Sequence, residues 1–143
     1  MRRIIRIALL LIVFRPGWAE TLLVIVHPEV AIDHMESQQL KDIYLLKRSA
    51  WSDGTPIIPI NLSASSPLRY AFFNQVLEID MQTAARVWLQ MHFRGRQPPH
   101  VVSSPEAAVI FVSRIRGAIA YVPANVDTKK VKVIARFTIE DSQ

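Results

Sequence analysis

Asn61–Leu77, NLSASSPLRYAFFNQVL, is the stretch from which the rest of the chain is read. It has the form of a strand end, a serine-rich turn and the start of an amphipathic helix. Ser66 stands where an N-cap belongs. Pro67 suits the first helical position, where a missing N–H removes no hydrogen bond. Leu68, Phe72 and Val76 recur at helical spacing, with Ala71, Phe73 and Leu77 beside them. A helix start presents free N–H groups and a partial positive charge, which suits an anion. Arg69 in the first turn opposes the helix dipole unless an anion lies there. Two readings stay open: Ser65 and Ser66 simply cap the helix, or they join Ser63 and Arg69 around an oxyanion.

Outward from this stretch, strand and helix signals alternate. Thr21–Val26, TLLVIV, is a continuous aliphatic run, as in the middle of a parallel sheet, and Pro28 follows it. Ser37 caps a short helix, SQQLKDIYLLK, with Leu40, Ile43 and Tyr44 on its apolar face. Ser52-Asp53-Gly54-Thr55 is a turn, and Pro56–Asn61 a second strand confined by its prolines to an edge or to strand ends.

The helix from Pro67 runs to about Leu77, and Asp80 caps another, MQTAARVWLQMHF. Phe93–His100, FRGRQPPH, is a loop, and Val101-Val102 is too short to assign. Ser104 and Pro105 open a further helix that Arg116-Gly117 closes. Ala118–Val122 and Lys130–Phe137 are strands, and Thr138–Gln143 a polar tail. The fold class is therefore α/β, a mostly parallel sheet flanked by helices.

The first 19 residues read as a signal peptide. Arg2, Arg3 and Arg6 precede the short apolar run Ile7–Phe14, and Gly17-Trp18-Ala19 offers small residues for cleavage after Ala19. The run is shorter than the ~20 residues of a membrane span, so no span remains after cleavage. Residues 20–143 form the single domain. Of 143 residues, 17 are Lys or Arg and 12 Asp or Glu, a net charge of +5. Four of the arginines lie in the leader, leaving +1, which gives no basic field for a nucleic-acid partner. There is no cysteine, so disulfides and thiolate chemistry are excluded.

No motif marks an enzyme, and none calls for a cofactor. His27, His34, His92 and His100 lack the spacing of a zinc site. The four glycines are scattered, so there is no phosphate-cradling Gly-rich loop, and Ser65 lacks nucleophile-elbow flanks. What remains is Ser63, Ser65, Ser66 and Arg69 at the helix start, with Arg94 and Arg96 on the loop. The two loop arginines are either solvated charges or a second contact to an oxyanion.

These pieces together resemble the small periplasmic relatives of the phosphate-binding proteins of ABC importers. The resemblance rests on LLVIVHP, the segment from Ser37 to Gly54 ending W-x-D-G, PIIPIN, SPLRYAFF, the FRGR-PP loop and RGAIAYVP. It implies a type II periplasmic-binding-protein-like fold, a periplasmic location and binding of phosphate or another oxyanion, with a transporter or sensor as an envelope partner. The chain departs from that family at telling positions. The family's Arg before the serine turn falls at Leu62, its Gly-Thr pair at Pro67-Leu68, and the Gly before the first helix's Lys at Leu46. The rival expectation is a protein-interaction or sensory module that keeps the fold without the small ligand.

Overall fold

A computed structural model describes residues 19–141. The expected leader lies outside the described residues apart from Ala19. Five strands form one sheet in the order β3-β2-β4-β1-β5. They are β1 (Ala19–Val26), β2 (Ile58–Leu62), β3 (His100–Val102), β4 (Ala118–Pro123) and β5 (Lys132–Glu140). The α-helices are α1 (Ser37–Tyr44), α2 (Pro67–Ala71), α3 (Met81–His92) and α4 (Pro105–Arg114).

β2 pairs parallel to both β3 and β4, whereas β1 pairs antiparallel to both β4 and β5. Four strands therefore share one direction and β1 opposes them. The aliphatic run of β1 is buried from Leu22 to Val26. Burial on both faces, not strand polarity, is what such a run encodes, so the expectation of parallel neighbours for β1 is corrected.

From β2 the chain crosses through α2 and α3 to β3, then returns through α4 to β4 on the other side of β2. Right-handed crossovers made in opposite directions place α2 and α3 on one face of the sheet and α4 on the other. Alternation along β4 matches this division. Tyr121 reaches the aromatic cluster of Tyr44, Phe72 and Phe73, while the small Ala118 and Ala120 turn to the other face.

Several local expectations shift. Glu36, not Ser37, occupies the N-cap of α1, and its N–H donates to Gln39 Oε1 at 2.9 Å. The helix from Pro67 is continuous to Val76, but Phe72–Val76 is a π turn, with Leu77 N–H donating to Phe72 O at 3.0 Å. Left-handed Glu78 (φ 53°) ends it, and Asp80 then caps α3 by accepting from Thr83 N–H at 2.8 Å. Val101-Val102 completes β3. Pro59 lies at the start of β2, where only β4 pairs with it, so its missing donor spoils no ladder to β3. The expected tail is strand as far as Glu140. Ala19 pairs with Glu140, and Gln75 clasps that end, donating to Glu140 O at 2.6 Å and accepting from its N–H at 2.8 Å.

α4 ends at Arg114, before the expected Arg116-Gly117 stop, because Ile115 is extended (φ −106°, ψ 110°). Gly117 serves a different need. Its φ is +88°, and a Cβ there would stand 2.2 Å from Pro56 O. Gly54 has the same backbone hand (φ +85°) with open space around it. Gly54→Ala should therefore show only the strain of a left-handed alanine, about 1–2 kcal/mol. Gly117→Ala should lose distinctly more, because the Pro56 carbonyl must also move. Urea unfolding of the two variants checks the difference.

Candidate functional site

The carboxyl ends of parallel β2 and β3 lie side by side, with Leu62 paired to Val102. Each strand runs into serines and a proline-started helix: Ser63 to Pro67 before α2, and Ser103 to Pro105 before α4. The crossovers diverge from this edge, which is where open α/β sheets leave a crevice.

Ser63 organises the first turn. Its Oγ lies 3.0 Å from Ser65 Oγ and accepts from Ser65 N–H at 3.4 Å, while its carbonyl accepts from Ser66 N–H at 2.9 Å. Ser66 has N-cap backbone angles (φ −73°, ψ 122°), but its side chain makes no cap hydrogen bond. α3 and α4 differ. Asp80 caps the first, and Ser104 Oγ accepts from Ala107 N–H at 3.1 Å in the second. The first turn of α2 thus keeps its N–H groups without a side-chain acceptor, and Ser65 is exposed beside it.

Arg69 turns back from this opening. Its Nη1 donates to Leu62 O at 3.0 Å, and its guanidinium carbon lies 5.9 Å from the Trp88 ring centroid. Its Nε is buried without a partner. The side chain therefore returns to Leu62, the position at which the resemblance implies an Arg, but as a donor to the main chain.

Arg94 and Arg96 lie elsewhere. Their loop leads into the amino end of β3, whereas the serine turn follows the carboxyl end of β2. Because these strands are parallel, the two groups occupy opposite ends of the strands. The structure brings Ser63, Ser65, Ser66 and Arg69 together and leaves Arg94 and Arg96 apart from them.

The floor of the crevice is a seam that the sequence did not announce. β2 and β4 pair only at Ile58–Ala118 and Pro59–Ile119. Beyond that point two phenols stand in for the ladder. Tyr44 Oη donates to Ile60 O at 2.9 Å and lies 3.4 Å from Ile119 O. Tyr121 Oη accepts from Leu62 N–H at 3.2 Å and donates to Oδ1 of Asn61, the buried polar residue of the core. Phe72 stacks on Tyr121 with centroids 4.0 Å apart, and Trp88 Nε1–H donates to Tyr44 O at 2.8 Å. Each of these aromatics looks like ordinary core in sequence, and only the topology brings their polar atoms to one line.

The histidines are engaged separately. His27 Nδ1 accepts from Glu29 N–H at 3.1 Å, His34 pairs with Glu36 at 2.6 Å, and His100 stacks on Phe111 at 5.2 Å. Among the described residues, no group of three or more His, Asp or Glu side chains is placed to hold a metal ion.

This architecture is a periplasmic-binding-protein-like fold. Among solved structures it superimposes on a protein assigned as a phosphate ABC transporter substrate-binding protein, with bound phosphate, from Clostridium perfringens (TM-score 0.66, 18% identity, covering 81% of this chain and 44% of that one). It is similar to an ABC-type phosphate transport receptor from Vibrio cholerae (0.63, 19%, 81% and 46%) and to PstS from Borrelia burgdorferi (0.64, 18%, 82% and 47%). The chain spans less than half the length of each. No family model matches the sequence, and no curated protein matches it.

At one point where the chain departs from the resembled pattern, the backbone keeps its demand. Leu46, where that pattern has Gly, is left-handed at φ 63°.

Tyr121→Phe leaves two buried groups, Leu62 N–H and Asn61 Oδ1, without their partner. At about 1–3 kcal/mol per orphaned group, the variant should lose roughly 2–6 kcal/mol by chemical denaturation. Tyr44→Phe should lose less, about 1–3 kcal/mol, since it removes one good donor bond, to Ile60 O, and only a long contact to Ile119 O.

Burial raises the pKa of both phenols above their ordinary value near 10. The folded state then holds protons that the unfolded chain releases above pH 10. This stabilisation is complete below pH 10 and fades as pH rises beyond it. The phenolate absorbance of Tyr44 and Tyr121 should appear together with loss of near-UV circular dichroism in an alkaline titration.

Proposed function

We propose that this protein is an exported, non-enzymatic solute-binding module that takes phosphate or a similar tetrahedral oxyanion at the start of α2. The observation that carries this reading is the helix start itself. It lacks a side-chain cap, unlike α3 and α4, and the hydroxyls of Ser63, Ser65 and Ser66 surround it. Free N–H groups at a helix start, with hydroxyl donors beside them, suit an anion. The phosphate-binding protein structures that share the fold support the same ligand class. The leader reading supports release into the periplasm after Ala19, where a transporter would be the partner.

In this scheme Arg69 acts at one remove. Its charge lies behind the turn and contributes to the field, while its fork is occupied by Leu62 O. Arg94 and Arg96, at the other end of the strands, serve a ligand only if a second body carries it to them. That separation favours the second reading, a sensory or interaction module that keeps the fold without the small ligand.

Isothermal titration of the exported protein with phosphate and then sulfate separates the two. A solute-binding module gives one saturable phosphate site near micromolar affinity, about −8 kcal/mol. A Ser63→Ala, Ser66→Ala double variant should weaken it at least tenfold while leaving thermal stability within a few degrees. Absence of any heat, with no thermal stabilisation by either anion, would favour the interaction module.

A further inference from the structure

A second cleft lies at the other end of β4. Its lining comes from the segment after β1 (Glu29, Val30, Ile32), from Arg48 and Trp51 beyond α1, and from Asp53 and Arg116. It encloses a volume of about 200 Å³. The serine turn follows the carboxyl end of β2, whereas this cleft lies beside Gly117 at the amino end of parallel β4, so the two are separate.

The charges in the cleft are unevenly committed. Arg116 takes both carboxylates: its Nη2 is 3.3 Å from Asp53 Oδ2, and its Nε is 3.6 Å from Glu29 Oε2. Arg48 is different. It is half-buried, its guanidinium carbon lies 5.6 Å from the Trp51 ring centroid, and it pairs with no carboxylate among the described residues. Trp51 is fixed from behind, donating from Nε1 to Gly117 O at 3.0 Å, while the hairpin bonds Trp51 N–H to Thr55 O at 2.8 Å. Val30 is fixed as well, since its carbonyl accepts from Lys132 Nζ.

From this arrangement we propose that the cleft binds a small monocarboxylate with an apolar body, such as an aromatic or branched aliphatic acid. The carboxylate meets the planar fork of Arg48, which offers two parallel N–H donors. The apolar body lies against Trp51, Val30 and Ile32. Arg116 offsets one of the two negative charges of Glu29 and Asp53, and Arg48 balances the other, so a single negative charge can enter beside Arg48. A dianionic phosphate meets the two carboxylates and the apolar walls and is turned away. The proposal is independent of the anion site at α2.

The test is a ¹H–¹⁵N titration of the purified protein with benzoate, read at the Trp51 indole N–H, with benzamide as the neutral isostere and phosphate as the competing anion. Benzoate should produce a saturating shift with a dissociation constant below about 1 mM. Arg48→Gln should weaken it at least tenfold with the rest of the spectrum unchanged. The Arg48 side chain makes no hydrogen bond to the protein among the described residues, and the backbone bond from its N–H to Asp42 O survives the substitution, so the fold stays intact. Equal binding of benzamide, unchanged affinity in R48Q, saturation of the same resonance by phosphate, or no saturable benzoate shift would each overturn the proposal.

Discussion

The sheet depends on what happens between β2 and β4 once their ladder stops. Two neighbouring strands that separate inside a core leave peptide groups without partners, at about 1–3 kcal/mol for each orphan. Tyr44 and Tyr121 meet that demand with phenols held by Phe72, Phe73 and Trp88. Because Tyr44 ends α1, Phe72 follows α2 and Trp88 sits in α3, one seam joins three helices to the sheet. It also sets the main-chain position of Leu62, from which the serine turn departs. The geometry of the exposed turn is thus determined by atoms that solvent never reaches.

The elements of this fold were legible where local chemistry decides them. Asp80 and Ser104 cap their helices as the sequence implies, and the Asp53-Gly54 turn forms. Strand polarity was not legible for β1, since an aliphatic run records burial and says nothing of its neighbours' direction. The π turn at Phe72–Val76 was hidden for a related reason: a helical repeat and a wider turn place Phe72, Phe73 and Val76 on similar faces. At the site, the serine turn was readable from its spacing. The inward turn of Arg69 was not, because it depends on the Leu62 carbonyl and on Trp88, which is 19 positions further on. The separation of Arg94 and Arg96 from the serines follows from the parallel pairing of β2 with β3, which no single segment records.

Arg69 and Leu46 illustrate how one backbone geometry can be met by different residues. At Leu46 the left-handed backbone persists without glycine, and a buried side chain occupies the position. At Leu62 a guanidinium lies against the main chain, supplied by Arg69.

β1 is the first strand in the chain, yet both of its partners, β4 and β5, come last, and Ala19 meets Glu140. The buried run of β1 therefore has neither of its partners until the chain beyond Ala118 is available. Loop closure over that span makes assembly late and highly non-local. A chain emerging amino end first passes through a long interval with this inner strand exposed to other chains. During synthesis the sheet cannot close around β1 until the segments that carry β4 and β5 arrive.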